Sequence, residues 1–326
     1  MLPDQRFVSF AQNAEDVVLW RALKHLPRGC YVEVGANDPV DGSISRAFYD
    51  RGWSGIAIEP VPAFAEAYRR ERERDVVVRA AIADSDGEQL TMHVIDGTGL
   101  STLDAEVAQR HREAGWPTRE ETVPVRRLDD VLAEHLSPED DIHFMVVDVE
   151  GSEASTLATV DLGRWRPWVL VVEATAPNSA EPTHEQWEDT VLAAGYELCL
   201  FDGLSRFYVA REHEELRPAL GVPANPLDEF VRHREVELDR ELAAARTGLT
   251  ETEAERDDLT SELVRWRGAV LERWVTAAAG GGAVGDRPTH ELVRLRKELA
   301  DTHATLSWRI TAPLRAVQTR RLRGWR

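Results

Sequence analysis

Cysteine is scarce in this sequence, and the two that occur, Cys30 and Cys199, lie in apolar stretches typical of strands. They do not form a disulfide framework or the Cys/His spacing of a zinc site, so we expect buried thiols in a reducing compartment. Long apolar runs are also missing: none is long enough to span a bilayer, and the N-terminus has no signal-peptide core. These absences predict a cytoplasmic protein.

Basic residues are outnumbered, since 39 Lys and Arg stand against 58 Asp and Glu, for a net charge of -19. A nucleic-acid-binding protein needs an excess of cations to neutralise phosphates, so we expect no nucleic-acid partner. The length of 326 residues exceeds that of one average domain. We therefore expect one large domain followed by an appendage.

The phosphate-binding pattern G-x-G-x-x-G is missing from the stretch where it is expected. Residues 31–60 predict a strand, a Gly-containing turn, a helix and a second strand, which together form a βαβ unit. Asn37 and Val40 stand where the second and third glycines of the pattern would be. The turn therefore suits a ligand with a ribose but no pyrophosphate, and S-adenosylmethionine fits that description.

Polar residues follow the strands of this unit. Glu33 and Gly35 end the first strand, and Gly35 with Asn37 lets the backbone turn close to the methionine part of the ligand. Glu59 ends the second strand, where a carboxylate can accept both ribose hydroxyls. A third predicted strand ends at Asp84, which we place near the adenine, although an ordinary turn is the alternative there.

Two later apolar runs predict strands that are buried on both faces, as in parallel sheets. The first stops at Asp148 and Glu150, and the second stops at Glu173. Ligands of open α/β sheets bind beyond the carboxyl ends of strands. One strand-end carboxylate could be a helix cap, but four on the same edge of the sheet are harder to explain in this way. We therefore predict a ligand site at that edge. The four are Glu33, Glu59, Asp148 and Glu173.

The order of elements predicts an α/β fold, namely a Rossmann-like sheet of seven strands that is mostly parallel. The runs ELCLF and RFYVA, joined at Asp202-Gly203, predict a terminal antiparallel hairpin. A helical coiled-coil extension follows. The predicted parts are a catalytic domain (1–211), a linker (212–227), a coiled-coil helix (228–276), a Gly-rich break (277–288), a second heptad helix (289–306) and a basic Trp/Arg tail (307–326).

Mostly apolar residues from Leu238 to Val270 recur at spacings of four and three, which is the heptad pattern of a coiled coil, weakened at Thr252 and Arg256. The two predicted helices pair with each other or with another subunit, and a glycan-assembly enzyme is a further candidate partner. The tail contains no acidic residue in its last 20 positions. Arg and Trp there are typical of contact with the inner face of the plasma membrane or with an acidic partner. A solvated tail is the alternative, and RNA binding is a third.

Several motifs occur in a characteristic order: SFAQNAEDVVL, YVEVGAND, IEP at Glu59, STL at Ser101, VPVRRLDDVL, VVDVEGSE and VVEA. With them, the chain from about Phe10 to Ala210 resembles the FkbM family of S-adenosylmethionine-dependent O-methyltransferases. Members often carry a glycine where Pro39 stands, so the methionine pocket is expected to differ. FDGLSRFYV resembles a subgroup found beside genes for surface polysaccharides, and SWRITAPLR resembles the end of glycan-assembly proteins.

The resemblance implies methyl transfer to a hydroxyl, most simply of a sugar in a cell-surface glycan or glycolipid. Asp148 is the preferred base or metal ligand, and Glu150 and Glu173 support it. Magnesium held by Asp148 and Glu173 is one mechanism, and a carboxylate base without metal is the other. His93 and His184 are alternative bases.

Two other classes compete with this interpretation. A nicotinamide-dependent oxidoreductase also has a Rossmann-like sheet, but the missing glycines disfavour it. A non-catalytic scaffold for glycan-assembly enzymes would need no intact site, and the strand-end carboxylates disfavour that alternative.

Overall fold

The structure, a computed structural model, describes residues 6–85, 87–137, 139–279, 293–294, 296–298 and 300–301. The chain divides into two compact units, Met1–Ala243 and Ala244–Arg326. The described strands are β1 (Phe7–Ser9), β2 (Cys30–Val34), β3 (Ser54–Ile58), β4 (Val76–Val78), β5 (Ala81–Ile82), β6 (Gln89–Val94), β7 (Arg119–Arg126), β8 (Phe144–Val147), β9 (Val169–Glu173), β10 (Tyr196–Phe201), β11 (Ser205–Ala210) and β12 (Phe230–Arg232). The described α-helices are α1 (Glu15–Leu23), α2 (Arg46–Tyr49), α3 (Pro62–Glu71), α4 (Ala105–Glu113), α5 (Leu128–His135), α6 (Glu153–Leu157), α7 (Glu188–Ala193), α8 (Arg217–Leu220) and α9 (His233–Ala279).

A seven-stranded sheet forms the centre of the first unit, in the order β10-β11-β9-β8-β2-β3-β4. The strands from β9 to β4 are parallel, whereas β11 is antiparallel to both β9 and β10. The predicted fold class is therefore confirmed, including the terminal hairpin. The chain passes from β2 outward to β3 and β4 and later returns to β8 on the other side of β2. The carboxyl ends of β2 and β8 thus form a topological switch point, where open α/β sheets bind ligands.

The central strands are apolar on both faces because helices cover both sides of the sheet. Along β8, Met145 and Val147 contribute to one buried apolar cluster, and Phe144 and Val146 contribute to the other. A strand that alternated between polar and apolar residues would bury its polar side chains away from solvent and without a partner. The continuous apolar runs in the sequence therefore set the position of the polar residues at the strand ends.

A second sheet of three strands, in the order β5-β7-β6, adjoins the carboxyl edge. The sequence predicts β6 and β7 as strands, but it predicts a single strand over the residues that form β4 in the main sheet and β5 in this one. β7 pairs parallel with β5 and antiparallel with β6, a mixed arrangement that depends on long-range contacts. The loop between β6 and α4 comes from this small sheet and reaches the candidate site described below.

Residues 212–227, for which the sequence predicts a linker, are packed against the first unit. Leu216 and Leu220 are buried in the core beside the sheet. The guanidinium of Arg21 donates to Asp228 and to the Ala219 carbonyl at 2.8 and 2.9 Å. β12 then pairs in parallel with β1. These contacts explain why the compact unit extends to Ala243 rather than ending at the last strand of the main sheet.

α9 runs without interruption over the 47 residues His233–Ala279. The predicted coiled-coil helix thus begins later than residue 228 and continues into the predicted Gly-rich break. The remainder of that break and the basic tail lie outside the described residues. Of the second heptad helix only residues 293–294, 296–298 and 300–301 are described, and they are helical. Among the helices described, none combines the length and apolar character that crossing a membrane requires.

Candidate active site

A cleft lies at the carboxyl ends of β2, β3 and β8, where ligands of open α/β sheets bind. Its polar lining comes from the strand-end residues Asn37, Glu59, Asp148 and Glu150. Its apolar lining comes from the start of α3, the small sheet and the loop after β6, and includes Val61, Phe64, Ala81, Ile82, Met92 and Leu103. The structure therefore brings carboxylates and an apolar wall together at the switch point.

Glu59 follows β3 directly and is almost fully buried. One carboxylate oxygen accepts the amide of Val61 at 2.7 Å, and the other accepts the amide of Asn37 at 2.8 Å. Burial raises its pKa to about 7, although both amide bonds act to lower the pKa. A carboxylate has about four lone-pair sites, so two backbone donors leave room for two more hydrogen bonds. This group is fixed in place and retains capacity to bind hydroxyls.

Gly35 and Asn37 shape the turn after β2. Gly35 has φ +83°, and a Cβ at this position would lie 1.7 Å from the carbonyl oxygen of Asp148. Glycine is therefore required by the close approach of the β2 and β8 ends, in addition to any requirement of a ligand. Asn37 has φ +51°, which Asn tolerates better than most residues. Both residues line the cleft, as the sequence predicts.

Asp148, Glu150 and Glu173 form a carboxylate cluster at the ends of β8 and β9. Each offers an oxygen, and these three oxygens lie within 4.8 Å of one another. Glu173 is 7 % exposed, and its Oε2 atom is buried without a hydrogen-bond partner, as is Oε2 of Glu150. Glu150 has φ +52° and precedes Gly151 at φ +98°. A non-glycine residue in the left-handed region is a local strain of the kind found at functional sites.

Ionisation of all three carboxylates at this separation is unfavourable because their negative charges repel one another. Burial raises the pKa of all three, and their mutual repulsion raises those of Glu150 and Glu173 further. The interaction between Asp148 and Glu173 lowers the pKa of Asp148 and raises that of Glu173. Because the two carboxyls share a hydrogen bond, one proton held between them is favoured over none. The cluster thus holds one carboxylate ready to accept a proton, or several ready to surround a cation.

Glu153 belongs to the site although its position in the sequence does not indicate a role. Its Oε1 atom accepts the amides of Val149 and Gly151 at 3.2 and 3.0 Å and so holds the loop that carries Glu150. Burial raises the pKa of Glu153 to about 7. The motif VVDVEGSE contains Glu153, but a spacing along the chain does not reveal that this side chain turns back on its own loop.

The loop between β6 and α4 covers part of the cleft. Thr98, Gly99 and Ser101 line the cleft, and the Thr102 hydroxyl donates to the Glu150 carbonyl at 2.8 Å. This hydrogen bond ties the covering loop to the carboxylate cluster. The STL motif is one of the motifs that carry the family resemblance, but only the structure shows which group Thr102 contacts.

Glu33 is placed behind the cleft rather than in its lining. Its carboxylate accepts the amides of Ile44 and Ser45 and the hydroxyl of Tyr68. Arg72, which is fully buried, supports the same loop by donating to the Pro39 carbonyl at 2.6 Å. These bonds occupy both oxygens of Glu33. The residue therefore fixes the loop after β2, and any effect on a cofactor would act through that loop.

Asp84 also lies outside the cleft lining. Its exposed carboxylate forms an ion pair with Arg127, and its backbone amide donates a hydrogen bond to the Ser155 hydroxyl. An exposed ion pair of this kind contributes little to stability.

The two histidines considered as bases are not in the cleft lining either. His93 lies in β6 and is buried. His184 Nε2 is 2.9 Å from an Arg206 guanidinium nitrogen. Because a guanidinium can only donate hydrogen bonds, Nε2 must be the acceptor, and the ring proton is then on Nδ1. The lone pair of Nε2 is occupied by the bond to Arg206.

This sheet order, with an antiparallel strand beside the parallel ones and a strand-end carboxylate in place of a phosphate loop, defines the class of Rossmann-like methyltransferases. The sequence model of the methyltransferase FkbM domain matches residues 33–198, which is 166 of the 326 residues. The chain therefore belongs to the FkbM methyltransferase family. This confirms the family resemblance, and it supports methyl transfer from S-adenosylmethionine as the general activity.

The solved structures that are similar to this chain include two methyltransferases. A TehB-like SAM-dependent methyltransferase from Corynebacterium glutamicum is 11 % identical, with 60 % of this chain and 88 % of that chain covered and a TM-score of 0.33. The 1,6-didemethyltoxoflavin-N1-methyltransferase of Burkholderia thailandensis, with bound 1,6-didemethyltoxoflavin and S-adenosylhomocysteine, is 13 % identical, with 60 % and 79 % covered and a TM-score of 0.29. No curated protein matches the sequence.

Proposed function

We propose that this chain transfers a methyl group from S-adenosylmethionine to a hydroxyl, that of a sugar in a cell-surface glycan or glycolipid. One observation carries the proposal. Glu59, which has spare acceptor sites, and two members of the carboxylate cluster, Asp148 and Glu150, line the same cleft. A group that binds a ribose and a group that accepts a proton are thus available to one bound pair of substrates.

The residues that line the cleft suit the chemistry of the methyl donor. Glu59 would accept the ribose hydroxyls, and the apolar residues Phe64, Ile82 and Met92 offer a wall for the adenine. Gly35 and Asn37 would face the methionine part. Pro39, where a glycine is common in the family, has its carbonyl bound by Arg72. This bond to the backbone carbonyl holds the loop in place.

Asp148 serves as the base in this mechanism. When bound, the donor supplies an electrophilic methyl on a sulfonium, and the carbon–sulfur bond breaks with its electron pair going to sulfur. The acceptor oxygen forms the new bond to carbon, and its proton passes to the Asp148 carboxylate. A sugar hydroxyl is a poor acid, so a positioned base lowers the barrier. The hydrogen bond with Glu173 lowers the pKa of Asp148 and so favours its ionised form.

The carboxylate cluster also fits a divalent cation. Asp148, Glu150 and Glu173 would hold magnesium, and the unpartnered Oε2 atoms of the two glutamates are the kind of oxygen ligands that this ion prefers. Such an ion lowers the pKa of a bound hydroxyl. Activity that is lost on chelation with EDTA and restored by magnesium would assign the cation. Activity unchanged by EDTA would assign the proton-sharing arrangement.

Replacement of Asp148 with Asn tests the proposed function. Asn has nearly the same shape but cannot accept the proton, so we expect methyl transfer to fall at least roughly 100-fold while S-adenosylmethionine still binds. Methyl transfer is measured as incorporation of labelled methyl into a panel of nucleotide sugars and glycolipids, and donor binding is measured by calorimetry. Asp189→Asn, an exposed residue of α7, is the matched control. Full activity of Asp148→Asn would remove Asp148 as base and as ligand.

A further inference from the structure

The helix α9 presents a row of large apolar side chains to solvent. Leu242, Leu249, Leu263 and Trp266 are each about half or more exposed, between 48 % and 63 %. A helix of 47 residues is roughly 70 Å long at 1.5 Å per residue. A single exposed leucine needs no explanation, but apolar side chains that recur along most of such a helix do.

The row has the geometry of a two-stranded coiled coil. With Leu242, Leu249, Leu263 and Val270 at a positions, the d positions are Leu238, Leu259 and Trp266 together with Ala245 and Thr252. The remaining a position in the middle of the row is Arg256. Polar residues at isolated core positions specify register at some cost in stability. The side chain of Arg256 is 66 % exposed and bonds only its neighbour Asp257 in the described contacts, so it is available to a facing helix.

The flanking charges distinguish the two orientations of such a pair. In a parallel pair, each g residue faces the e residue of the following heptad on the other helix. Glu241 then faces Arg246, and Glu262 faces Arg267, so both contacts are attractive. In an antiparallel pair, g residues face each other, and Glu241 opposes Glu262. Glu255, also at g, lies beside the facing Arg256 in the parallel arrangement only.

We propose that α9 forms a parallel, in-register coiled coil with a second copy of this chain. The occupant is a second copy because the helix carries both members of each charge pair, at the spacing that self-pairing requires. The surface is independent of the methyl-transfer cleft, so it makes no use of any residue in the proposed mechanism.

Replacement of seam leucines tests whether the helix self-associates. In the full-length chain, we expect a dimer by light scattering and a roughly 100-fold or larger rise in the dimer dissociation constant for Leu249→Glu/Leu263→Glu, because charges would be buried in the seam. Leu271→Glu lies on the same helix at a b position outside the seam and should leave the dimer intact. A monomeric wild type would overturn the proposal and favour pairing with the second heptad helix or with another protein.

Charge reversal and cysteine cross-linking test the orientation. Glu262→Lys should weaken a parallel dimer, and Arg267→Glu added to it should restore the dimer, whereas Glu262→Lys would strengthen an antiparallel one. Leu242→Cys and Val270→Cys should each form a disulfide between copies under mild oxidation, compared with the wild type. Cross-links that form only when the two variants are mixed would contradict the parallel arrangement.

Discussion

At the scale of single residues, the environment of Glu59 sets its protonation. The folded protein raises the pKa of Glu59 from 4.5 to about 7, chiefly by burial. Protons are therefore bound more tightly in the folded state, and this group's contribution to stability is fully present below about pH 4.5 and is lost as pH rises through 7. Ribose hydroxyls need the ionised carboxylate as their acceptor. Binding of the methyl donor therefore favours ionised Glu59, whereas folding favours the protonated form.

This opposition predicts a pH dependence of donor binding. Between pH 5 and 7 the wild-type affinity relative to that of Glu59→Gln should rise by up to about tenfold per pH unit and should level off above 7. The comparison removes the titration of the donor itself, since both proteins bind the same molecule. Calorimetric titrations at several pH values measure the ratio, and parallel pH profiles for the two proteins would contradict the role given to Glu59.

Residue type and position predicted part of the candidate site from the sequence. The strand-end positions of Glu59, Asp148 and Glu173 follow from apolar runs that stop abruptly, and that local signal suffices to place them on one edge. Glu33 carries the same signal, yet its oxygens are taken by the loop after β2. Tyr68, which is distant in sequence, also donates to this carboxylate, and no local pattern reports such a contact.

At the scale of elements, the ends of β2 and β8 are packed too tightly for a side chain at position 35. Gly35→Ala places a Cβ against the Asp148 carbonyl, whereas a Cβ at Gly52, with φ +90°, meets nothing within 4 Å. Both substitutions carry the cost of a left-handed conformation, which is about 1–2 kcal/mol.

The pair of glycines predicts unequal losses of stability. We expect Gly52→Ala to lower the free energy of unfolding by about 1–2 kcal/mol. Gly35→Ala should lower it by at least about 3 kcal/mol, because the clash with Asp148 adds to the backbone strain. Urea denaturation measures both values. Equal losses for the two variants would show that the strand ends separate without cost.

The extent of the elements was less predictable than their type. The strands of the main sheet and of the small sheet follow from apolar runs, but the assignment of β5, β6 and β7 to a separate sheet depends on pairing between distant segments. Likewise, the segment 212–227 contains prolines and glycine that are typical of a linker. Its burial comes from Leu216 and Leu220, whose partners are far away in the chain.

At the scale of the whole molecule, the first unit depends on chain beyond its last sheet strand. A chain that ends after Arg211 loses two buried leucines and the pairing of β12 with β1. Burial of two leucines is worth about 4 kcal/mol, which corresponds to a fall in Tm of about 10 °C or more for a unit of this size. A chain that ends after Ala243 should melt like the corresponding unit of the full protein. Equal melting temperatures for the two truncations would contradict this boundary.

The most direct test of the account is a calorimetric titration of S-adenosylmethionine into the wild type, Glu59→Gln and Glu66→Gln. Glu66 is an exposed residue of α3 and serves as the control. We predict micromolar binding to the wild type and the control, and a loss of roughly 100-fold in Glu59→Gln, because hydrogen bonds to a charged acceptor contribute about 1.5–3 kcal/mol each. Thermal melts of the three proteins verify that each is folded. A folded wild type that does not bind, or equal binding by all three, would contradict the central claim that this cleft holds the methyl donor through Glu59.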